Sequence, residues 1–249
     1  MTNLDTASAL NIPASVATLQ YKLRSEPEKI QLQIINELIA VGDAGLAVLM
    51  EFLLERQPGL DQGRSSKTPI KVVEAAVYQA LFNTRATQVV DFLQQHFPTG
   101  TVPLRSQHNL DYAPLQQILA KQEFEAADKS TIQKLCELAG SAAVQRKWIY
   151  FTEIESLASV DLQTINALWL AHSNSRFGFS VQREIWLGVG KNWDKLWEKI
   201  GWKSGNNWTR YPNEFTWNLS APRGHLPLSN QLRGVRVIAA LLDHPAWFE

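Results

Sequence analysis

Apolar residues in the first hundred positions recur at the spacing of one helical face. Ile30, Ile34, Ile35, Leu38 and Ile39 follow an i, i+4, i+5, i+8 stripe. Pro27 stands near its first turn, where a missing N–H costs nothing. Gly42 and Asp43 interrupt the stripe, and Leu46, Leu49, Met50, Leu53 and Leu54 resume it from about Ala44 to Arg56. A polar loop with Pro58, Gly59, Gly63, Arg64, Ser65 and Ser66 leads to a third stripe (Val72, Val73, Ala76, Val77, Ala80, Leu81) and a fourth (Val89, Val90, Leu93, Phe97). Pro98, Gly100 and Pro103 close the run. Short helices joined by tight turns predict a helical bundle or short helical-repeat stack over residues 1–103, suited to support or partner docking.

Residues 104–249 continue the pattern as a second unit. Tyr112 to Ala120 and Phe124 to Ala139 are helical by period, with Gly140 as the stop. Asp161 is placed to cap a helix bearing Ile165, Leu168 and Trp169, and Ser180 one bearing Val181, Ile185 and Trp186. Trp193, Leu196, Trp197 and Ile200 form a further stripe closed by Gly201. Ser229 is placed to cap a last helix, with Leu232, Val235, Ile238, Ala239 and Leu242 on its apolar side. No segment alternates over a strand's length. The expected class is all-α, interrupted by a long irregular stretch from Gly201 to Ser229.

Composition narrows the function classes. The 249 residues carry 24 Lys and Arg against 24 Asp and Glu, so no global field exists to attract polyanions. The single cysteine, Cys136, excludes an intramolecular disulfide and a Cys-based zinc site, and its place among Ile132, Leu135 and Leu138 makes it packing. No apolar run approaches the ~18 residues of a membrane span. Met1 to Leu10 lacks both a basic n-region and an Arg-rich bias, so a mature intracellular chain is expected. Eight of the nine tryptophans, however, fall between Trp148 and Trp217.

The irregular stretch concentrates the candidate chemistry. A loop this long is unusual in a compact domain and is functional or disordered; Trp202, Trp208, Tyr211, Phe215 and Trp217 argue against disorder. It either plugs against its own domain or walls a concave apolar site. Between Lys199 and Arg236 stand Lys199, Lys203, Arg210, Arg223, Arg233 and Arg236 against the single acid Glu214. Cations interleaved with rings suit a flat apolar ligand with anionic groups, the rings stacking on it and the guanidinium forks gripping carboxylates. Asn230, Arg233 and Arg236 share one side of the last helix, which can face the loop. A merely solvated basic face is the alternative.

Signatures of catalysis are poor. No zincin, Walker-type or dinucleotide-type pattern occurs, and the five histidines are scattered. His225 has the makings of an axial ligand, but a hydrogen-bonded loop histidine is the simpler reading. Carboxylates near the aromatic loop are too scarce for paired-acid chemistry. The expectation is a non-enzyme without a metal site.

From Asp111 to His244 the chain resembles the genomes-uncoupled-four family of tetrapyrrole-binding regulators of magnesium chelatase. The resemblance rests on Asp111-Tyr112-x-Pro114-Leu115, Phe124-x-x-Ala127-Asp128 and Asp161-Leu162-x-Thr164-Ile165-Asn166-x-Leu168-Trp169. It extends through Ser173-Asn174-x-x-Phe177-Gly178-Phe179-Ser180-Val181-Gln182, Gly201-Trp202 and Leu219-Ser220-Ala221-Pro222-x-Gly224-His225-Leu226-Pro227. Ser175-Arg176 stands where many members read Gly-Arg or Gly-Asn, and Tyr211 where some carry Trp. Residues 1–103 look like the extension of cyanobacterial members.

The resemblance implies an all-helical tetrapyrrole-binding core whose ligands are protoporphyrin IX and magnesium protoporphyrin IX. It implies that Arg233 and Arg236, with Asn230, hold the propionates, and that Phe151, Trp208, Tyr211, Trp217, Leu226 and Leu228 line the apolar wall. It further implies activation of magnesium chelatase in chlorophyll biosynthesis through the enzyme's large porphyrin-binding subunit. The expected state is a monomer, in the cytoplasm of a cyanobacterium-like cell and partly peripheral to photosynthetic membranes. The competing readings are single-stranded nucleic-acid binding, which also uses rings and arginines but sits poorly with zero net charge, and a helical-repeat scaffold.

Overall fold

The stripes of the N-terminal half are helices in the computed structural model, which describes residues 14–57, 71–228 and 235–248. In chain order they are α1 (Ala14–Ser25), α2 (Glu28–Val41), α3 (Asp43–Arg56), α4 (Val72–Phe82) and α5 (Thr87–His96). Leu23, Ile34, Leu38, Leu49, Phe52, Val77 and Leu81 meet in one buried cluster. α1 carries no stripe singled out by period; it is held at its surface by Arg24, which grips Glu55 with two nitrogens at 2.7 and 3.0 Å.

The second half contributes α6 (Ala113–Ala120), α7 (Phe124–Ala139), α8 (Ser141–Arg146), α9 (Phe151–Ile154), α10 (Ser159–His172), α11 (Phe179–Gly188), α12 (Trp193–Lys199) and α13 (Val235–Leu242). A 3-10 turn at Pro245–Trp247 follows, docked on α10 through Gln163 Nε2, which donates to the Ala246 carbonyl at 3.0 Å. The central helix is α10. Its Trp169 is fully buried, stacks on Phe124 at 5.9 Å, and donates its indole N–H to Thr131 at 2.9 Å.

The two halves are joined by α4, which packs across α10 and lends Ala75 to the second core. Tyr78 lies 6.3 Å from the His172 ring, and Gln79 Oε1 is 3.3 Å from His172 Nδ1. Burial holds the His172 imidazole down to about 4, so it is neutral in this joint.

Two caps differ from expectation. Helix α10 begins at Ser159, so Asp161 lies inside the first turn; its buried carboxylate accepts from the Tyr112 hydroxyl at 2.8 Å and the Gln107 N–H at 2.9 Å. Two donors from the segment preceding α6 claim the carboxylate that periodicity assigned to its own helix. Helix α11 begins at Phe179 after Gly178, and the cap is supplied by Asn166 of α10, whose Oδ1 accepts from Ser180 N–H at 2.9 Å. Gly178 sits at φ +135°, and a Cβ there would stand 2.8 Å from that same Asn166 oxygen. The Ser229 cap lies outside the described residues.

Candidate functional site

After α12 the chain does not stay wholly irregular. Lys203–Ser204 (β1) and Asn207–Trp208 (β2) pair as a minimal antiparallel hairpin, with Lys203 opposite Trp208. The turn is Gly205-Asn206, with Gly205 at φ +58°. This dipeptide was the available signal; two-residue strands are too short to show alternation.

The tryptophans divide into supports and exposed surfaces. Trp186, Trp193, Trp197 and Trp202 form a continuous stack, with centroids 4.9, 5.4 and 5.5 Å apart and the last pair nearly parallel at 6°. Trp202 is fully buried and donates its indole N–H to the His225 carbonyl at 2.8 Å. Trp208, 46% exposed, leans on this stack at 5.8 Å from Trp197, with the Lys203 ammonium 5.6 Å from its ring.

A second aromatic group follows. Tyr211, 43% exposed, meets Trp217 edge-on at 5.9 Å, and both rest on the buried Phe215 ring at 6.3 and 5.8 Å. Trp217 is half-buried and fixed by its indole N–H, which donates to the Pro212 carbonyl at 3.0 Å. Beneath lies His225, 5.1 Å from Phe215. Its Nδ1 is 2.6 Å from the Ile200 carbonyl and its Nε2 accepts from the Thr216 N–H at 3.2 Å. Burial keeps this imidazole below its ordinary pKa, against the Ile200 hydrogen bond. With both nitrogens engaged, His225 serves as a hydrogen-bonded loop staple.

The far end of the loop is stitched to α7 and α11. Gln182, fully buried, donates through Nε2 to the carbonyls of Gly224 at 3.0 Å and Pro227 at 2.7 Å. Gly178 N–H donates to Leu226 O at 2.9 Å, and Leu228 N–H to Asp128 Oδ1 at 2.7 Å. Asp128 is buried on α7, and desolvation pushes its carboxyl up to about 7 against the opposing Leu228 hydrogen bond. Tyr211 lies within the field of Asp128, Lys129 and Glu125; burial first, then the Asp128 charge, raises its phenol.

The expected wall residues are therefore distributed. Tyr211 and Trp217 touch; Phe151, half-buried at the start of α9, lies beneath the Arg236 guanidinium at 5.4 Å. Trp208 belongs to the tryptophan stack. Leu226 and Leu228 are buried in the core of the second half. Asn230 and Arg233 lie outside the described residues; Arg236 is exposed at the start of α13. The positive excess counted along the loop is partly cancelled in space. Lys203 pairs with Asp194 of α12 at 2.8 Å and Arg223 with Glu184 of α11, acids that a sequence window starting at Lys199 leaves out.

Sequence reasoning assigned no site role to Asp128 or Gln182. Their signal was a polar residue on an apolar stripe: Asp128 sits among Phe124, Ala127, Thr131 and Leu135, and Gln182 beside Phe179, Val181 and Trp186. Among the described residues no group of three or more His, Cys, Asp or Glu could hold a metal ion, and no helix is long and apolar enough to cross a membrane. Burial raises the Cys136 thiol, consistent with packing.

Comparison with known proteins places this geometry. Residues 105–245 match the GUN4-like family model and residues 7–98 the model described as "ARM-like repeat domain, GUN4-N terminal". A Ycf53-like protein of Synechocystis sp. is 50% identical over 233 residues, 94% of this chain and 97% of that one. A chloroplastic tetrapyrrole-binding protein of Arabidopsis thaliana is 40% identical over 142 residues, 53% of this chain and 54% of that one. Among solved structures, GUN4 from Chlamydomonas reinhardtii superposes with TM-score 0.56 at 42% identity, covering 59% of this chain and 95% of that one. Ligand-free GUN4 from Arabidopsis thaliana superposes with TM-score 0.52 at 40% identity, covering 55% and 98%.

Proposed function

Since the chain belongs to the GUN4-like family, we propose that it is a non-catalytic porphyrin-binding protein whose ligands are protoporphyrin IX and its magnesium form. The observation that carries this reading is the pair of part-exposed aromatic surfaces, Trp208 and Tyr211–Trp217. Each is backed by a buried aromatic floor, and α13 carries Arg236 over Phe151 at its start. The name of the Arabidopsis relative, a tetrapyrrole-binding protein, points the same way.

The chemistry is that of recognition. Indole and phenol faces stack on the macrocycle, adding about 0.5–1.5 kcal/mol per ring pair beyond area burial. Arg233 and Arg236, with Asn230, grip the two propionates. Phe151 sets the Arg236 guanidinium by stacking, and Leu226 and Leu228 brace the wall from within. His225, committed to Ile200 and Thr216, is not offered to the centre of the macrocycle, which is in keeping with a site that takes both free and magnesium porphyrin.

In this reading residues 104–249 are the porphyrin-binding unit and residues 1–103 a helical-repeat unit. The protein acts as a monomer that activates magnesium chelatase in chlorophyll biosynthesis by engaging the large porphyrin-binding subunit. It resides in the cytoplasm of a cyanobacterium-like cell, partly at the photosynthetic membrane surface. Titration with magnesium protoporphyrin IX should quench tryptophan emission at micromolar or lower concentration, about −8 kcal/mol of binding, and the protein should raise the rate of magnesium insertion by the chelatase subunits. No quenching at tens of micromolar porphyrin would overturn the ligand assignment, and quenching without stimulation would overturn the chelatase role.

A further inference from the structure

The hairpin that carries Trp208 is too small to aim that ring by itself. Each strand has two residues, and an isolated two-stranded ribbon is marginal in water. Its base is anchored by Thr209, whose N–H donates to the Trp202 carbonyl and whose hydroxyl donates to the Gly201 carbonyl, both at 3.0 Å. These bonds fix the backbone and leave the direction of the Trp208 side chain to its neighbours.

The indole meets Trp197 of α12 at 5.8 Å, and the Lys203 ammonium lies over its ring at 5.6 Å. Lys203 stands directly opposite Trp208 in the register, so both side chains rise from one face of the ribbon. The ammonium is itself held: it donates to Asp194 Oδ1 at 2.8 Å, and the Lys203 side chain is only 19% exposed. Asp194 lies in the first turn of α12, whose start is capped by Asn192, with Oδ1 accepting from the Lys195 N–H at 3.0 Å. One helix thus supplies both the ring that Trp208 leans on and the carboxylate that locks Lys203. Trp208 nonetheless keeps nearly half of its surface open.

We propose that Lys203 is a positioning residue for the porphyrin: locked to Asp194, it holds the Trp208 indole where that ring stacks on the macrocycle, without touching a propionate itself. The inference rests on the porphyrin reading above. A cation over an indole face contributes orientation, whereas an ion pair whose acid is 78% exposed adds little to stability. Losing the pair therefore leaves the fold intact and lets the ring sample other rotamers, which binding must then order again. Asp194 answers the Lys203 charge, so the pair offers the acid tails no net attraction.

The test titrates magnesium protoporphyrin IX, followed by its Soret absorbance, into wild type, Lys203→Met, Asp194→Asn, Trp208→Ala and the double variant Lys203→Met/Trp208→Ala. Methionine keeps an apolar stem without the charge. Lys203→Met and Asp194→Asn should each bind about three- to tenfold more weakly than wild type, the cost of ordering one loosened side chain. Once Trp208 is gone, Lys203→Met should lose nothing more. Protoporphyrin IX and its dimethyl ester, which lacks the anions, should lose equally in Lys203→Met. A lysine that gripped a propionate would give the opposite pattern: tighter binding in Asp194→Asn, an additive loss in the double variant, and no loss for the ester. Any of these results, or wild-type affinity in Lys203→Met, overturns the proposal. If wild type binds no porphyrin, the functional reading fails and the positioning is judged on the ligand-free protein by near-ultraviolet circular dichroism. There the difference between wild type and Trp208→Ala isolates the signal of the held indole. The same difference taken in the Lys203→Met background should be smaller; an undiminished one overturns the positioning.

Discussion

Replacing Gln182 by Leu isolates the stitching that holds the aromatic loop. Gln182 is fully buried and its Nε2 donates to two loop carbonyls, Gly224 and Pro227. Leu has nearly the same volume, so no cavity term enters, and the change reads as lost hydrogen bonding. Two neutral bonds are worth about 1 kcal/mol each net, and stranding their buried acceptors raises the cost to about 3 kcal/mol together. Against this, Gln182 Oε1 is itself buried with no partner among the described residues, and its removal returns about 1 kcal/mol. The balance is a destabilisation of about 2 kcal/mol, or roughly 4–8 °C for a chain of this size. Thermal unfolding followed by far-ultraviolet circular dichroism measures it. Porphyrin affinity should fall with it, because Gly224 to Leu228 positions the underside of the proposed wall. A Gln182→Leu protein that melts within a degree of wild type would refute the claim that these two bonds hold the loop.

Three further outcomes follow from the same geometry. Arg236→Ala should weaken porphyrin binding by about 1.5–3 kcal/mol, a loss of roughly 10- to 150-fold by fluorescence titration, if its fork meets a propionate; wild-type affinity would remove it from that role. In the ligand-free protein, burial pushes the Asp128 carboxyl from its ordinary 3.8 up to about 7. The folded state then binds the extra proton between those values, and unfolding free energy should decline as pH rises from about 4 to about 7 and level above. The decline is on the order of 4 kcal/mol, read by urea denaturation at stepped pH, and should vanish in Asp128→Asn. Ser175 sits at φ +56° in the turn after α10, a conformation costing a side-chain-bearing residue about 1–2 kcal/mol, while glycine adds unfolded-state entropy of about 0.5–1 kcal/mol. Ser175→Gly should therefore stabilise slightly, by about 0.5 kcal/mol in chemical denaturation, and a destabilised variant would contradict the strain.

The helical scaffold was legible because its signal is periodic. The stripes through Ile34 and Leu38, Leu49 and Leu53, and Val77 and Leu81 all lie in one core, and Phe124–Ala139 has the bounds its sequence suggests. Short-range chemistry misled where tertiary partners intervened: Asp161 was taken by Tyr112 and Gln107, and Asn166 replaced Ser180 as the cap of α11. In the site, composition identified the aromatic loop but not its division of labour. Trp202 and Phe215 are buried supports while Trp208 and Tyr211 remain exposed, a distinction made by the α12 stack and by His225, neither of which spacing reveals. Charge counting along the loop overstated its positive field for the same reason, since Asp194 and Glu184 arrive from other helices.

The claim beneath the functional reading is that rings hold a flat macrocycle while guanidinium groups hold its acid tails. Parallel titrations with protoporphyrin IX and with its dimethyl ester, in one detergent-free buffer at constant ionic strength, separate the two contributions. Stacking is shared by both ligands, but only the free acid carries anions for Arg233 and Arg236. The free acid should bind at least about tenfold more tightly, and Arg236→Ala should narrow that gap. Equal affinities for acid and ester, unchanged by Arg236→Ala, would contradict it.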